Sequence, residues 1–470
     1  GARTNLEIER AGATFDSVLA EGREQWQRLL SRVRIVTEDD DIRRQFYSAL
    51  YRTLLMPTLM SDADGSYLGF DGQLHKTDQG NYYSDFSLWD TYRTQHPLLT
   101  IVYSEYQVEM VHSLLNMARQ GGYFPKWAFA NGETNIMVGT PADIVIADSY
   151  LKGLVFPFDE ALDFSMLTVR GPTEPGSGFL GRESFSEHLD IGYIPADAEV
   201  GSVSKTQEYS VADQALCEMA TRLGRTEDAK LVCETRFNYR NLWNEEHAFF
   251  LPLNADGSAA WLDFSTESIP QDVLDGRNSA FTEGNPWHYL FFAPHDAQGL
   301  IDMNGGPEAF VQRLETFFEF SREEFEALPH DPEVIGGNRL YYWHGNEPSL
   351  HTAYLFSSAG RPDLACQTVR WVMDTHYNST PDGLPGNDDV GTLSAWLVFS
   401  MLGLYPNPGT DEYWLACPSI RKAEIQLTEG VLVIRTEGPL EGPVIPVEYR
   451  FNGTALTRPI LTWPMIRNIG

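Results

Sequence analysis

"FDSVLAEGREQWQRLLSRVRI", residues 15–35, sets Phe15, Val18, Leu19, Trp26, Leu29, Leu30 and Val33 close to a 3.6-residue period. That spacing gathers apolar side chains on one face and predicts an amphipathic helix running to Ile35. "DDIRRQFYSALYRTLLMPTLM" (40–60) repeats the pattern, with acids at its start and Pro57 near its end. "QVEMVHSLLNMARQGGYFP" (107–125) is a third such run, closed by Gly121 and Gly122. Comparable patterns fall at 141–153, 210–224, 306–320, 350–360, 363–376 and 391–403, separated by turn-rich connectors such as "RGPTEPGSG" (170–178). Helices follow loops without strand–helix alternation, so the fold class is mainly α.

The pattern changes near residue 419. "AEIQLTEGVLVIRTEG" alternates apolar and polar residues, and Asn452-Gly453 supplies a hairpin signal. The last stretch is therefore expected to form a small C-terminal β appendix.

The chain has 470 residues, with 34 Lys and Arg against 66 Asp and Glu, for a net charge of −32. Such a surface repels phosphate backbones and anionic lipid, so neither nucleic acid nor membrane is an expected partner. No run approaches the ~20 apolar residues of a membrane span. Cys217, Cys233, Cys366 and Cys417 show no CxxC spacing; they read as buried thiols or as one or two disulfides, with buried thiols favoured.

Acids concentrate beside glycine, asparagine and aromatic residues in three loops. "AFTEGNPWHYLFFAPHD" (280–296) holds Glu283, Trp287 and His288; "YYWHGNEPSLHTAYLF" (341–356) holds His344, Asn346, Glu347 and His351; "DGLPGNDDVGTLSAW" (382–396) holds Asp388 and Asp389. Each also reads as a helix start, with Asn346 and Pro348 fitting a first turn and the Asp pair capping 391–403. An aromatic surround raises the pKa of Glu283, as a general acid needs, while Asp388 and Asp389 in a polar loop stay ionised. Two carboxylates in contrasting settings suit glycoside hydrolysis. Trp89, Trp127 and Trp287 lie beside polar groups, as sugar-stacking rings do.

"FSLWDTYRTQHPLLT" (86–100), "FPKWAFANGETNIMVGTPADIVIADSYLKG" (124–153), "EGNPWHYLFFAPHD" (283–296), "HGNEPSLHTAYLF" (344–356) and "GNDDVGTLSAWLVFSMLGLYPNPGTDEYWLACP" (386–418) resemble glycoside hydrolase family 92. The resemblance implies a calcium-dependent, inverting exo-α-mannosidase acting on N-glycan or mannan termini, secreted or held at the cell surface, in the bacterial periplasm or outside the cell. It implies a linker helix region over 1–40, an (α/α)6-barrel catalytic domain over 41–418 and the β segment over 419–470. The family's N-terminal β-sandwich is expected to be missing from this chain, and to be its partner where present. By resemblance, Glu283 is the general acid and Asp389, or its neighbour Asp388, the base, ~6.5–9.5 Å away for inversion. Asn346 and Glu347 would hold Ca2+, with His344 and His351 orienting ion and sugar. Trp89, Asp90 and Arg93 would line the sugar pocket, joined by Trp127, Glu133, Trp287 and His288.

Leu350 and His288 depart from the family's pattern, as does "SVSKTQEYSVADQA" (202–215). These departures keep open a mannose-1-phospho-6-mannose uncapping enzyme. A non-catalytic mannose-binding module is the alternative of another class. His330 and Asp331 are further candidates for the leaving-group side.

Overall fold

Two kinds of helix build the protein. Phe15–Leu30 is amphipathic, with a reciprocal capping box between Thr14 and Ser17 and with Leu29 as its one fully buried residue. Pro141–Leu151, Ser202–Arg222 and Thr392–Leu402 are instead buried on nearly every face. A helix without a polar face belongs inside other helices, and these three form the interior against which the outer helices pack. The computed structural model describes residues 1–470 except 78, 172–178, 261–279, 328–340, 441, 443, 447 and 469–470. His330 and Asp331 lie outside the described residues.

The mainly helical class expected from periodicity is what the structure has. The starting point of Ser202–Arg222 was not legible, because its first turns, rich in Ser, Thr, Gln and Glu, look solvent-facing. They are buried because most of their polar groups find partners locally or across the core. Thr206 and Ser210 return hydrogen bonds to the carbonyls four residues back, and Gln207 Nε2 donates to Tyr289 O and Phe292 O. Phe158–Arg170 and Thr226–Thr235 are helices that the reading passed over, and 350–360 holds one 3₁₀ turn, Thr352–Tyr354, leading into the short helix Leu355–Ser358.

The opening helix also stops short. It ends at Leu30, and Val33–Val36 is a strand, antiparallel to Lys422–Leu427 with Val33 opposite Ile425. Val33, Ile35 and Val36 are β-branched, and a pleated surface accommodates them better than a final helical turn does. The C-terminal β residues arrive as expected: Lys422–Leu427 and Gly430–Arg435 form a hairpin, and Asn452 (φ 48°) and Gly453 (φ 79°) make the turn between Arg450–Phe451 and Thr454–Ala455. Ile460–Thr462 then pairs with Glu412–Leu415, so strands on both sides of residue 419 belong to one sheet.

The expectation of buried thiols is overturned. Cys217 is bonded to Cys233 and Cys366 to Cys417, tying sequence separations of 16 and 51 residues. Spacing alone could not show this, because both bridges join elements that only the tertiary fold brings together. Chain-entropy arguments give about 3 kcal/mol for the shorter loop and about 4 kcal/mol for the longer. Thermal melts are accordingly expected to show a larger loss of Tm for Cys366→Ser than for Cys217→Ser. Among the described residues, no helix is long and apolar enough to cross a membrane.

Candidate active site

Each of the three acid-bearing loops does begin a helical turn, and that is how its acid is placed. Asn285 Oδ1 accepts from the backbone of Trp287 (2.9 Å) and His288 (3.2 Å), starting Pro286–Leu290 three residues after Glu283. Asn346 Oδ1 accepts from Glu347 N at 3.0 Å, and its Nδ2 donates to Glu283 O at 2.7 Å, joining two of the loops. Asp388 accepts from Ser394 N and Ser394 Oγ, both at 2.8 Å, at the start of Thr392–Leu402.

The two Asp neighbours are thereby sorted. Both oxygens of Asp388 serve Ser394, and Arg52 Nε stands 3.6 Å from it. Asp389 instead interacts with the Glu347 carboxyl, which partly offsets the rise that burial gives its pKa. Glu283 and Asp389 both adopt left-handed backbone, with φ of 46° and 43°. Such conformations cost on the order of 1–3 kcal/mol each and persist where surrounding bonds over-determine them. Here the Asn346 amide holds the Glu283 carbonyl, and Thr392 Oγ1 donates to Asp389 O at 2.8 Å.

Four carboxyls converge: Asp90, Glu283, Glu347 and Asp389. Burial is the main reason that all four have raised pKa values. Their mutual repulsion adds to it: Asp389 pushes Asp90 and Glu283 up, and Asp90 and Asp389 push Glu347 up. Ser87 Oγ donates to Asp90 and partly offsets the effect there. Glu283 is exposed, Asp389 is half-buried, and Glu347 is fully buried.

Beneath the cluster lies a residue that the sequence reading missed. Glu208, 1% exposed, accepts hydrogen bonds from Trp89 Nε1 (2.8 Å), Tyr92 OH (3.0 Å) and Arg93 Nη2 (2.7 Å). No local pattern signals it, because the Ser-, Thr- and Gln-rich turns around it look solvent-facing; only its burial shows an acid that needs several donors. Trp89 is fully buried and the Arg93 guanidinium covers its ring at 4.9 Å. It supports Arg93 rather than offering a surface to sugar. Removing the carboxyl by Glu208→Ala leaves Arg93 buried without its ionic partner and is expected to destabilise the fold by about 3–5 kcal/mol. Chemical unfolding of the variant measures this.

Other expected contacts are likewise supports. Trp287 is buried among Phe249, Phe317 and Tyr341, a core ring rather than a stacking platform. His288 and His351 are bonded through Nε2 to Tyr341 O and Phe291 O, and burial lowers both to about 4, so they stay neutral. His344 has both ring nitrogens taken, by Tyr342 OH and Tyr377 OH, which leaves none for a ligand. The Glu133 carboxylate accepts three backbone N–H groups, from Lys126, Trp127 and Asn135, and shapes its own loop. Trp127 is half-buried and donates its indole N–H to Ser87 Oγ at 2.7 Å, at the edge of the cluster.

A cluster of carboxyls with raised pKa values, with one Asp neighbour held by Ser394 and the other set against Glu347, is an arrangement that proton transfer by paired acids can use. The comparisons narrow that chemistry to a family. Residues 1–470 match the Glycosyl hydrolase family 92 catalytic domain, and the chain belongs to that family. A family GH92 α-mannosidase of Bacteroides thetaiotaomicron superposes with a TM-score of 0.86 at 29% identity, covering 99% of this chain and 59% of that one. A family GH92 inverting mannosidase of the same organism gives 0.87 at 31% identity, covering 99% and 63%. A secreted glycosidase of Arthroderma benhamiae, itself uncharacterised, is 25% identical over 449 residues, 90% of this chain and 51% of that protein. The chain thus spans about half the length of that curated relative.

Proposed function

We propose that this chain carries the catalytic centre of a secreted, exo-acting, inverting α-mannosidase that removes terminal mannose from N-glycan or mannan-type chains. The observation that carries the reading is the meeting of Glu283 with Asp389 while Asp388 is spent on Ser394. Glu283, raised by burial and by Asp389, holds a proton for the departing glycosidic oxygen. Asp389 takes a proton from water arriving on the opposite face of the sugar. Arg93, fixed by Glu208, and Asp90, fixed by Ser87, face the same cluster and would orient the hexose. An (α/α)6 barrel and a further β-sandwich domain elsewhere in the protein accord with the family, as bacterial export accords with two disulfides.

The residues fit a hard dication. Glu347 Oε1 is buried without a hydrogen-bond partner among the described residues, and three other carboxyls load the same spot with negative charge. Among the described residues no three His, Cys, Asp or Glu side chains form a metal cage, so Glu347 and the Asn346 carbonyl would supply part of a Ca2+ shell, with other oxygens completing it. Bound there, Ca2+ would polarise sugar hydroxyls and relieve the crowded charge. Chelation is expected to abolish turnover and lower Tm, and returning Ca2+ at about 100-fold its Kd should restore about 2.7 kcal/mol of stability. A Tm indifferent to chelator and Ca2+ would rule this placement out.

Two of the departures that kept the phosphodiester reading open are core positions. Leu350 is fully buried, and His288 is bonded to Tyr341 O inside the core. Binding without turnover needs no free acid and base. The deciding experiment follows product anomers by NMR on linkage-defined mannobioses and a mannosyl phosphodiester. β-Mannose released first from a mannobiose supports the reading; cleavage of the phosphodiester alone, or of nothing, overturns it.

A further inference from the structure

The strand Trp127–Phe129 carries a second ring beyond the site. Trp127 stands opposite Ser87 in the antiparallel register, and cross-strand partners share a face. That face looks toward the acidic cluster, because the Trp127 indole donates to Ser87 and Ser87 donates to Asp90. Residues two apart on a strand also share a face, so Phe129 lies on it, one ring further out. The two ring centroids are 6.1 Å apart and tilted by 31°. Phe129 is 59% exposed, and the position across from it is Gly132, which has no side chain to cover the ring.

Scattered exposed apolar residues such as Leu74 or Val155 need no explanation. Phe129 differs because its hairpin is firmly braced. Asp85 Oδ1 accepts from Ala130 N at 2.8 Å, just after Phe129, and Glu133 gathers the three backbone donors of Lys126, Trp127 and Asn135. Asp85, Ala130 and Asn135 are all held at positive φ, 63°, 51° and 53°. Strain maintained around an exposed ring next to a reactive centre is the mark of a presented surface rather than a slack loop.

We propose that Phe129, backed by Trp127, is a leaving-group subsite that stacks against the apolar face of a hexose in the chain from which the terminal mannose departs. The inference rests on the mannosidase reading and sharpens its substrate class to oligosaccharides of three or more sugars. The test compares wild type, Phe129→Ala and Phe129→Trp on an α-linked mannotriose and on α-mannosyl fluoride, whose leaving atom is too small to reach the ring. Phe129→Ala is expected to lower kcat/KM on mannotriose about three- to tenfold, mainly through KM, and to leave the fluoride within about twofold. Phe129→Trp should restore the trisaccharide rate. An unchanged mannotriose rate, or an equal fall on the fluoride, overturns the subsite while leaving the mannosidase reading intact. Wild-type protein inactive on both substrates overturns both.

Discussion

Glu283→Gln should cut turnover of unactivated mannosides by about 10²–10⁴-fold while largely sparing α-mannosyl fluoride or a nitrophenyl mannoside. The amide keeps the size and polarity of the side chain, and the Asn346 bond to the Glu283 carbonyl is untouched. What disappears is the proton. A sugar alkoxide cannot leave without one, whereas fluoride or nitrophenolate can. The pH profile gives an independent check. Burial first, and then Asp389, raise the Glu283 pKa, so the protonated form survives to a higher pH than for an ordinary glutamate. Activity on sugar leaving groups should therefore fall as pH rises through that raised value, and the alkaline limb should vanish in Glu283→Gln assayed on the fluoride. Because Glu283 and Asp389 interact, both limbs report on the pair. Equal losses on good and poor leaving groups would remove Glu283 from the acid role.

Asp389→Asn should depress every substrate alike, also by about 10²–10⁴-fold, because the attacking water needs its base whatever leaves. Added azide, a nucleophile that needs no deprotonation, should recover part of the rate. Asp388→Asn separates the neighbours. Its carboxyl accepts from the backbone and the hydroxyl of Ser394, so the change should lower stability by about 1–3 kcal/mol, the range for hydrogen bonds to charged groups, with a smaller effect on rate. A variant of Asp389 that keeps full turnover would transfer the base role to Asp388.

Much of the candidate site could be read from the chain, because its residues sit in long motifs whose spacing survives as local geometry. Asn285 and Asn346 cap the turns that set Glu283 and Glu347, and a helix start involves only adjacent residues. The helix-cap reading and the functional reading of those loops describe one arrangement. The expected sugar-stacking rings fared less well. Trp89 and Trp287 turn out to be interior supports, since a tryptophan beside polar residues in sequence can face either way.

By itself the sequence determined the helical class, the β character of the C-terminal segment and the carboxylates brought to the site, since periodicity and short motifs encode what neighbours along the chain do. Only the tertiary structure decided which of Asp388 and Asp389 bonds to Ser394, that Glu208 anchors Arg93, that the four cysteines pair, and that Val33–Val36 leaves its helix to join residues 422–427. All but the bond of Asp388 to Ser394, six positions away, rest on partners tens to hundreds of positions apart. Such pairing is set by how buried surfaces close on one another, and no local pattern along the chain carries it.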